Sequence, residues 1–125
     1  MEKEFIPYTE SLELKELGFN ENCFAGYCDN GKLHIRRVDF QSDLKGFCLA
    51  PTWQSAFSWF REKYHIHGEP FYKGGLTKQT SWYDYKIYSN IDWICNNPKQ
   101  QWKTYEEAEL ECLKKLIEIV KDKEK

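Results

Sequence analysis

Phe24-Ala25-Gly26-Tyr27-Cys28-Asp29-Asn30-Gly31-Lys32-Leu33-His34-Ile35 is the stretch on which the fold class turns. Apolar and aromatic residues flank Asn30-Gly31, and Asn-Gly favours a tight two-residue turn because both residues tolerate positive φ. The stretch predicts a β-hairpin. Phe47-Cys48-Leu49-Ala50 predicts a further short strand before Pro51, after a polar loop at 38–47. A second extended region runs from Phe71-Tyr72-Lys73, through a loop at Gly74-Gly75, into Ser81–Ser89. There Tyr83, Tyr85 and Ile87 alternate with Trp82, Asp84, Lys86 and Tyr88, the period of a strand with one face more polar than the other.

Three helices are predicted around these strands. Pro7 to Leu17 forms the first, with Leu12, Leu14 and Leu17 on its apolar side. Gly18 is its left-handed stop, and Phe19 folds back on Leu14. The second runs from Thr52 to Tyr64, carries Trp53, Ala56, Phe57, Phe60 and Tyr64 in one stripe, and is closed off by Gly68 and Pro70. After a break at Asn96-Asn97-Pro98, Thr104 and Glu107 form a capping box that starts the third. Tyr105, Ala108, Cys112, Leu116 and Ile119 make its stripe, widened by Leu113 and Val120. Hairpins joined by one-sided helices predict the α+β class: an antiparallel sheet built from two hairpins, packed on amphipathic helices as a two-layer sandwich. The 125 residues suit a single domain, with a charged tail from about 121.

Composition narrows the function classes. Aromatic residues make up 17% of the chain, far from the composition of a disordered segment. No apolar run approaches the roughly 20 residues of a membrane-spanning helix. Eighteen Lys and Arg against 20 Asp and Glu give a net charge of −2, which argues against non-specific nucleic-acid binding. Met1-Glu2-Lys3-Glu4 has no apolar signal-peptide segment, so a cytoplasmic location is expected. Five cysteines are an odd count and read as reduced thiols. Cys23, Cys28 and Cys48 with His65 and His67 do not supply the two matched halves of a structural zinc site, so neither metal nor cofactor is expected.

Ala50-Pro51-Thr52-Trp53-Gln54-Ser55-Ala56-Phe57-Ser58-Trp59-Phe60-Arg61-Glu62-Lys63-Tyr64 resembles a recurring stretch in a family of small uncharacterised proteins of Bacteroidetes phages and mobile elements. Residues 104–120, Phe5-Ile6-Pro7-Tyr8 and Leu14-Lys15-Glu16-Leu17-Gly18-Phe19 look similar to the same family. The resemblance covers most of the chain except 38–47 and 89–100. It implies a phage or prophage origin and a bacterial host cytoplasm. It brings no catalytic residues with it.

The residues themselves carry no G-x-S-x-G, phosphate loop, H-E-x-x-H or Rossmann glycine pattern. Trp59 lies off the apolar stripe of its helix and needs a cover, which a loop, a second subunit or a ligand would provide. With Arg61 and Lys63 it is the leading binding candidate, since Trp and Arg are enriched at the centres of interfaces. Trp82, Trp93 and Trp102 stand in or beside loops and would close over the same surface, a combination that also stacks on nucleobases. Glu109 falls in the apolar arc of its helix among Tyr105, Leu116 and Val120; it snorkels, pairs with Arg61 or points into a pocket. The expected function is that of a non-catalytic accessory protein binding a host or phage factor or a small nucleotide-like ligand. The alternatives are a homodimer formed through Trp59 or a strand edge, and an enzyme using His65, His67 or Glu109. No membrane partner is expected.

Overall fold

The computed structural model of the chain describes residues 4–21, 23–28, 30–38, 48–74, 81–89, 93–96 and 102–123. The fold is α+β, and the described residues form three helices and two three-stranded antiparallel sheets. The chain divides into two compact units, 1–59 and 60–125, and the boundary falls inside the second helix. Each predicted hairpin thus founds a sheet of its own rather than half of a shared one. No helix among the described residues is long and apolar enough to cross a membrane.

In the first unit, helix α1 (Tyr8–Glu16) follows Pro7, whose carbonyl accepts the Ser11 N–H at 2.9 Å. Its end follows from local chemistry. Gly18 takes φ 98°, a value that costs a side-chain-bearing residue roughly 1–2 kcal/mol. The Phe19 N–H then reaches the Leu14 carbonyl at 2.9 Å and the Gly18 N–H reaches that of Lys15 at 3.1 Å, the paired bonds of a Schellman ending. Leu14 and Phe19 are both buried, as the sequence predicts, but Leu12 faces solvent and the buried side is completed by Glu10 and Ser11.

Strands β1 (Cys23–Tyr27), β2 (Leu33–Val38) and β3 (Cys48–Leu49) form the first sheet in the order β2-β1-β3. The connection of the hairpin is one residue longer than the predicted turn. The Gly31 N–H donates to the Cys28 carbonyl at 2.9 Å, and the Cys28 N–H to that of Lys32 at 3.0 Å. Gly31, at φ 84°, closes the turn with the ring of Tyr8 against it. Beneath lies a core of Phe5, Ala25, Tyr27, Cys48 and Ala50. Tyr27 donates its hydroxyl to the Ile6 carbonyl at 2.8 Å, while the Ile6 N–H bonds the Pro51 carbonyl at 2.9 Å, which ties the N-terminal segment to the sheet. The loop predicted at 38–47 lies outside the described residues, save Val38 at the end of β2.

Helix α2 (Trp53–Tyr64) is capped by Thr52, whose hydroxyl accepts the Ser55 N–H at 3.2 Å. It ends at His65, held at φ 59°, and the chain passes directly into β4 (Ile66–Gly74). Gly68 and Pro70, predicted to close off the helical segment, therefore sit inside a strand. Pro70 is tolerated because β4 is at the sheet edge, where a missing N–H breaks no ladder. β5 (Ser81–Ser89) pairs with β4 along its full length, and β6 (Trp93–Asn96) completes the order β4-β5-β6.

Helix α3 (Tyr105–Lys123) packs against β4 and β5, giving this unit its two layers. Its start is capped by the predicted pair: the Thr104 hydroxyl accepts the Glu107 N–H at 3.1 Å, and the Glu107 carboxylate reaches back to that hydroxyl, which donates to it at 3.0 Å. The buried stripe is Ala108, Cys112, Leu113, Leu116, Ile117 and Val120. Ile117 takes the place predicted for Ile119, and Tyr105 leaves the core altogether. The helix also continues through Lys121–Lys123, into the predicted tail.

Replacing Gly18 with Ala should lower the unfolding free energy by about 1 kcal/mol, because only the left-handed geometry lets Phe19 fold back. Urea denaturation followed by tryptophan fluorescence checks this; an unshifted midpoint would show that the ending carries no strain.

Candidate functional site

The register of β4 against β5 decides which side chains meet. His67 stands opposite Tyr88, Glu69 opposite Lys86 and Phe71 opposite Asp84 on one face, while Tyr72 stands opposite Tyr83 on the other. On the first face the rings of His67 and Tyr88 stack with centroids 5.1 Å apart and planes within 5°. Lys86 places its Nζ 3.7 Å from Glu69 Oε2 and 5.7 Å from the centroid of the Phe71 ring. The Tyr88 hydroxyl donates to the same Glu69 oxygen at 3.4 Å. Asp84, on the more polar face of β5, is fully buried, and its Oδ1 accepts the Tyr85 N–H at 2.7 Å. Trp82 shares this face and is half-buried. Its indole N–H is shielded from solvent and meets no acceptor among the described residues.

The opposite face ends in a row of three tyrosines in successive edge-on contact. Tyr72 and Tyr83 have centroids 5.5 Å apart at 75°, and Tyr83 and Tyr105 6.1 Å apart at 88°. Tyr72 is 52% exposed and Tyr105 42%, so two large rings of this group lie open to solvent. Tyr85 continues the face inward and stacks on Trp102, 5.4 Å away at 25°. One helical turn beyond Tyr105 stands Glu109, half-buried. Burial first, and the neighbouring Glu106 second, push its carboxyl up to about 7. Burial also raises the Tyr105 phenol, helped by Glu109 and, more weakly, by Cys112, Glu69 and Glu106. The negative charge at this end of α3 is thus felt at Tyr105 from the sheet as well as from the helix.

The residues picked from sequence fare differently. Trp59 is 6% exposed and packs edge-on against Phe19 at 5.4 Å. Its cover is the chain's own loop after α1, so it belongs to the core and offers no surface to a partner. Arg61 and Lys63 are exposed on α2, the latter with its ammonium 5.4 Å from the centroid of the Tyr64 ring. They therefore lose the tryptophan they were grouped with. Trp93 opens β6, but its side chain lies outside the described residues. Glu109 forms no ion pair among the described residues, so of its three alternatives the pairing with a cation such as Arg61 is not made.

His65 serves as the left-handed exit of α2, and His67 is engaged with Tyr88. Among the described residues no three His, Cys, Asp or Glu side chains gather as metal ligands would. Burial, with Cys48 and Glu21 adding to it, pushes the Cys23 thiol up to about 12, which keeps it protonated and unreactive. No family model, curated protein or solved structure matches the chain.

Tyr72 and Tyr105 escaped the sequence reading. The signal was present for Tyr105: it follows the capping threonine directly, and the first residue of a helix can overhang the layer beneath it.

Two outcomes follow. Trp59→Ala should cost about 3–5 kcal/mol of unfolding free energy, the penalty of an emptied core site, without changing the subunit count seen in gel filtration. Glu109 has a folded-state value near 7 against 4.5 for an ordinary glutamate, so between these pH values the folded chain retains a proton that the unfolded chain has released. Its contribution to stability is complete below pH 4.5 and is lost as pH rises through 7. Urea midpoints at pH 5, 6, 7 and 8 should show Glu109→Gln flattening that decline. An unchanged slope would place the responsible group elsewhere.

Proposed function

We propose that the chain is a small non-catalytic binding protein that engages its partner through the tyrosine end of the second sheet. The observation that carries this is the trio Tyr72, Tyr83 and Tyr105, whose two outer rings are exposed. Three rings are held in fixed mutual geometry by a strand pair and a capped helix, yet two of them lie open to water. Rigid, amphipathic rings of this kind provide contact area at little entropic cost, which is why tyrosine is enriched at interfaces. The likeness to small phage and mobile-element proteins fits the same role in a bacterial host cytoplasm, where an accessory protein acts by occupancy. Edge-to-edge homodimerisation through β4 is disfavoured, because Pro70 in mid-strand has no N–H to offer an added strand.

Selection of a random displayed-peptide library on the purified chain tests this, with a Tyr72→Ser/Tyr105→Ser double variant as the counter-target. Peptides should be enriched whose affinity falls at least about tenfold on the variant, the equivalent of about 1.4 kcal/mol. Enrichment only of peptides that bind both proteins equally would remove the tyrosines from the function.

A further inference from the structure

Among the described residues of the second unit are two places where aromatic rings and carboxylates adjoin, and they differ in one respect. At the first, the chain supplies its own cation. Lys86 lies against both Glu69 and the Phe71 ring, so charge and ring are satisfied internally. At the second, the ring of Tyr105, with Tyr83 edge-on beside it, adjoins Glu106 and Glu109, and no described cation stands over either ring or pairs with either carboxylate. The charged and titratable groups acting on Tyr105 there are Glu106, Glu109 and Cys112 of its own helix and Glu69 of β4, whose partner is Lys86. From this unfilled copy of a filled arrangement we infer that the surface of Tyr72, Tyr83 and Tyr105 docks a basic segment of a protein partner, an arginine or lysine lying against the tyrosine rings with its charge met by Glu106 and Glu109.

This rests on the binding role proposed above and adds the chemistry of the partner. A guanidinium fits best, because it stacks flat on an aromatic ring while its N–H groups reach carboxylates in the ring plane. The state of Glu109 agrees with a missing cation. Half-buried beside Glu106, it holds its proton to about pH 7, whereas an arriving positive charge would favour its ionised form. Binding and deprotonation are therefore linked, and each promotes the other.

The test is fluorescence anisotropy with three labelled 12-residue peptides, one rich in Arg and Lys, one rich in Glu and one of Ser and Gln. The basic peptide alone should bind the wild-type chain, more weakly in 0.5 M salt than in 0.05 M, since screening shortens the reach of exposed charges. A Glu106→Gln/Glu109→Gln variant should lose about tenfold in affinity and Tyr105→Ala at least as much. Affinity for the wild type should rise from pH 6 to pH 8, and Glu109→Gln, which is close to isosteric and keeps the fold, should abolish that rise.

Equal binding of the basic peptide to all variants would mean diffuse charge attraction and would overturn the inference. Failure of the basic peptide, while display selection still yields tyrosine-dependent peptides of other composition, overturns the partner chemistry alone. Failure in both experiments overturns the binding role with it.

Discussion

Nine residues of β4 paired without interruption to nine of β5 form the constraint from which the surface of the second unit derives. Because side chains alternate along a strand, this register alone places Tyr72 beside Tyr83 and Glu69 beside Lys86. A slip of one residue would exchange the two faces. Burial of Ile66, Tyr85 and Ile87 makes such a slip costly, since it would bring their neighbours His67, Lys86 and Tyr88 into the apolar layer. The tyrosine end inherits its rigidity from this register on one side and from the capped start of α3 on the other.

Two acids show how the same residue type takes different roles according to what surrounds it. Asp84 is fully enclosed, and its carboxylate accepts the N–H of the next residue, a local bond that anchors the polar face of β5 from within. Glu109 is only half enclosed, beside a second carboxylate and without a counter-ion among the described residues. The first is a structural group. The second carries an electrostatic cost that a positive charge beside it would relieve.

Local chemistry was legible wherever it needs few residues. The glycine stop at Gly18, the fold-back of Phe19 onto Leu14, the cap at Thr104 and the first hairpin all depend on neighbours within six positions. Even there, the hairpin connection was one residue longer than Asn30-Gly31 suggests, because Gly31 takes a positive φ and Asn30 does not. Pro70 and Gly68 misled for a related reason. Proline opposes a central strand but not an edge strand, and edge position is a property of the sheet.

Trp59 and Tyr105 mark the boundary between the two kinds of information. A helical wheel placed Trp59 on a flank and Tyr105 in the stripe, and the folded chain reverses their exposure. The wheel ranks directions around one axis; burial depends on what arrives from elsewhere, in one case Phe19 after a distant helix, in the other a sheet that leaves the first residue of α3 uncovered. The sequence by itself determined the α+β class, the glycine stop of α1, the capped start of α3 and the alternation of β5, since these follow from periodicity and from backbone preferences of single residues. Only the tertiary structure decided that the hairpins found separate sheets, that a tryptophan is core and that tyrosines are surface. Those outcomes depend on contacts between residues far apart in the chain, and no local pattern encodes which of them form.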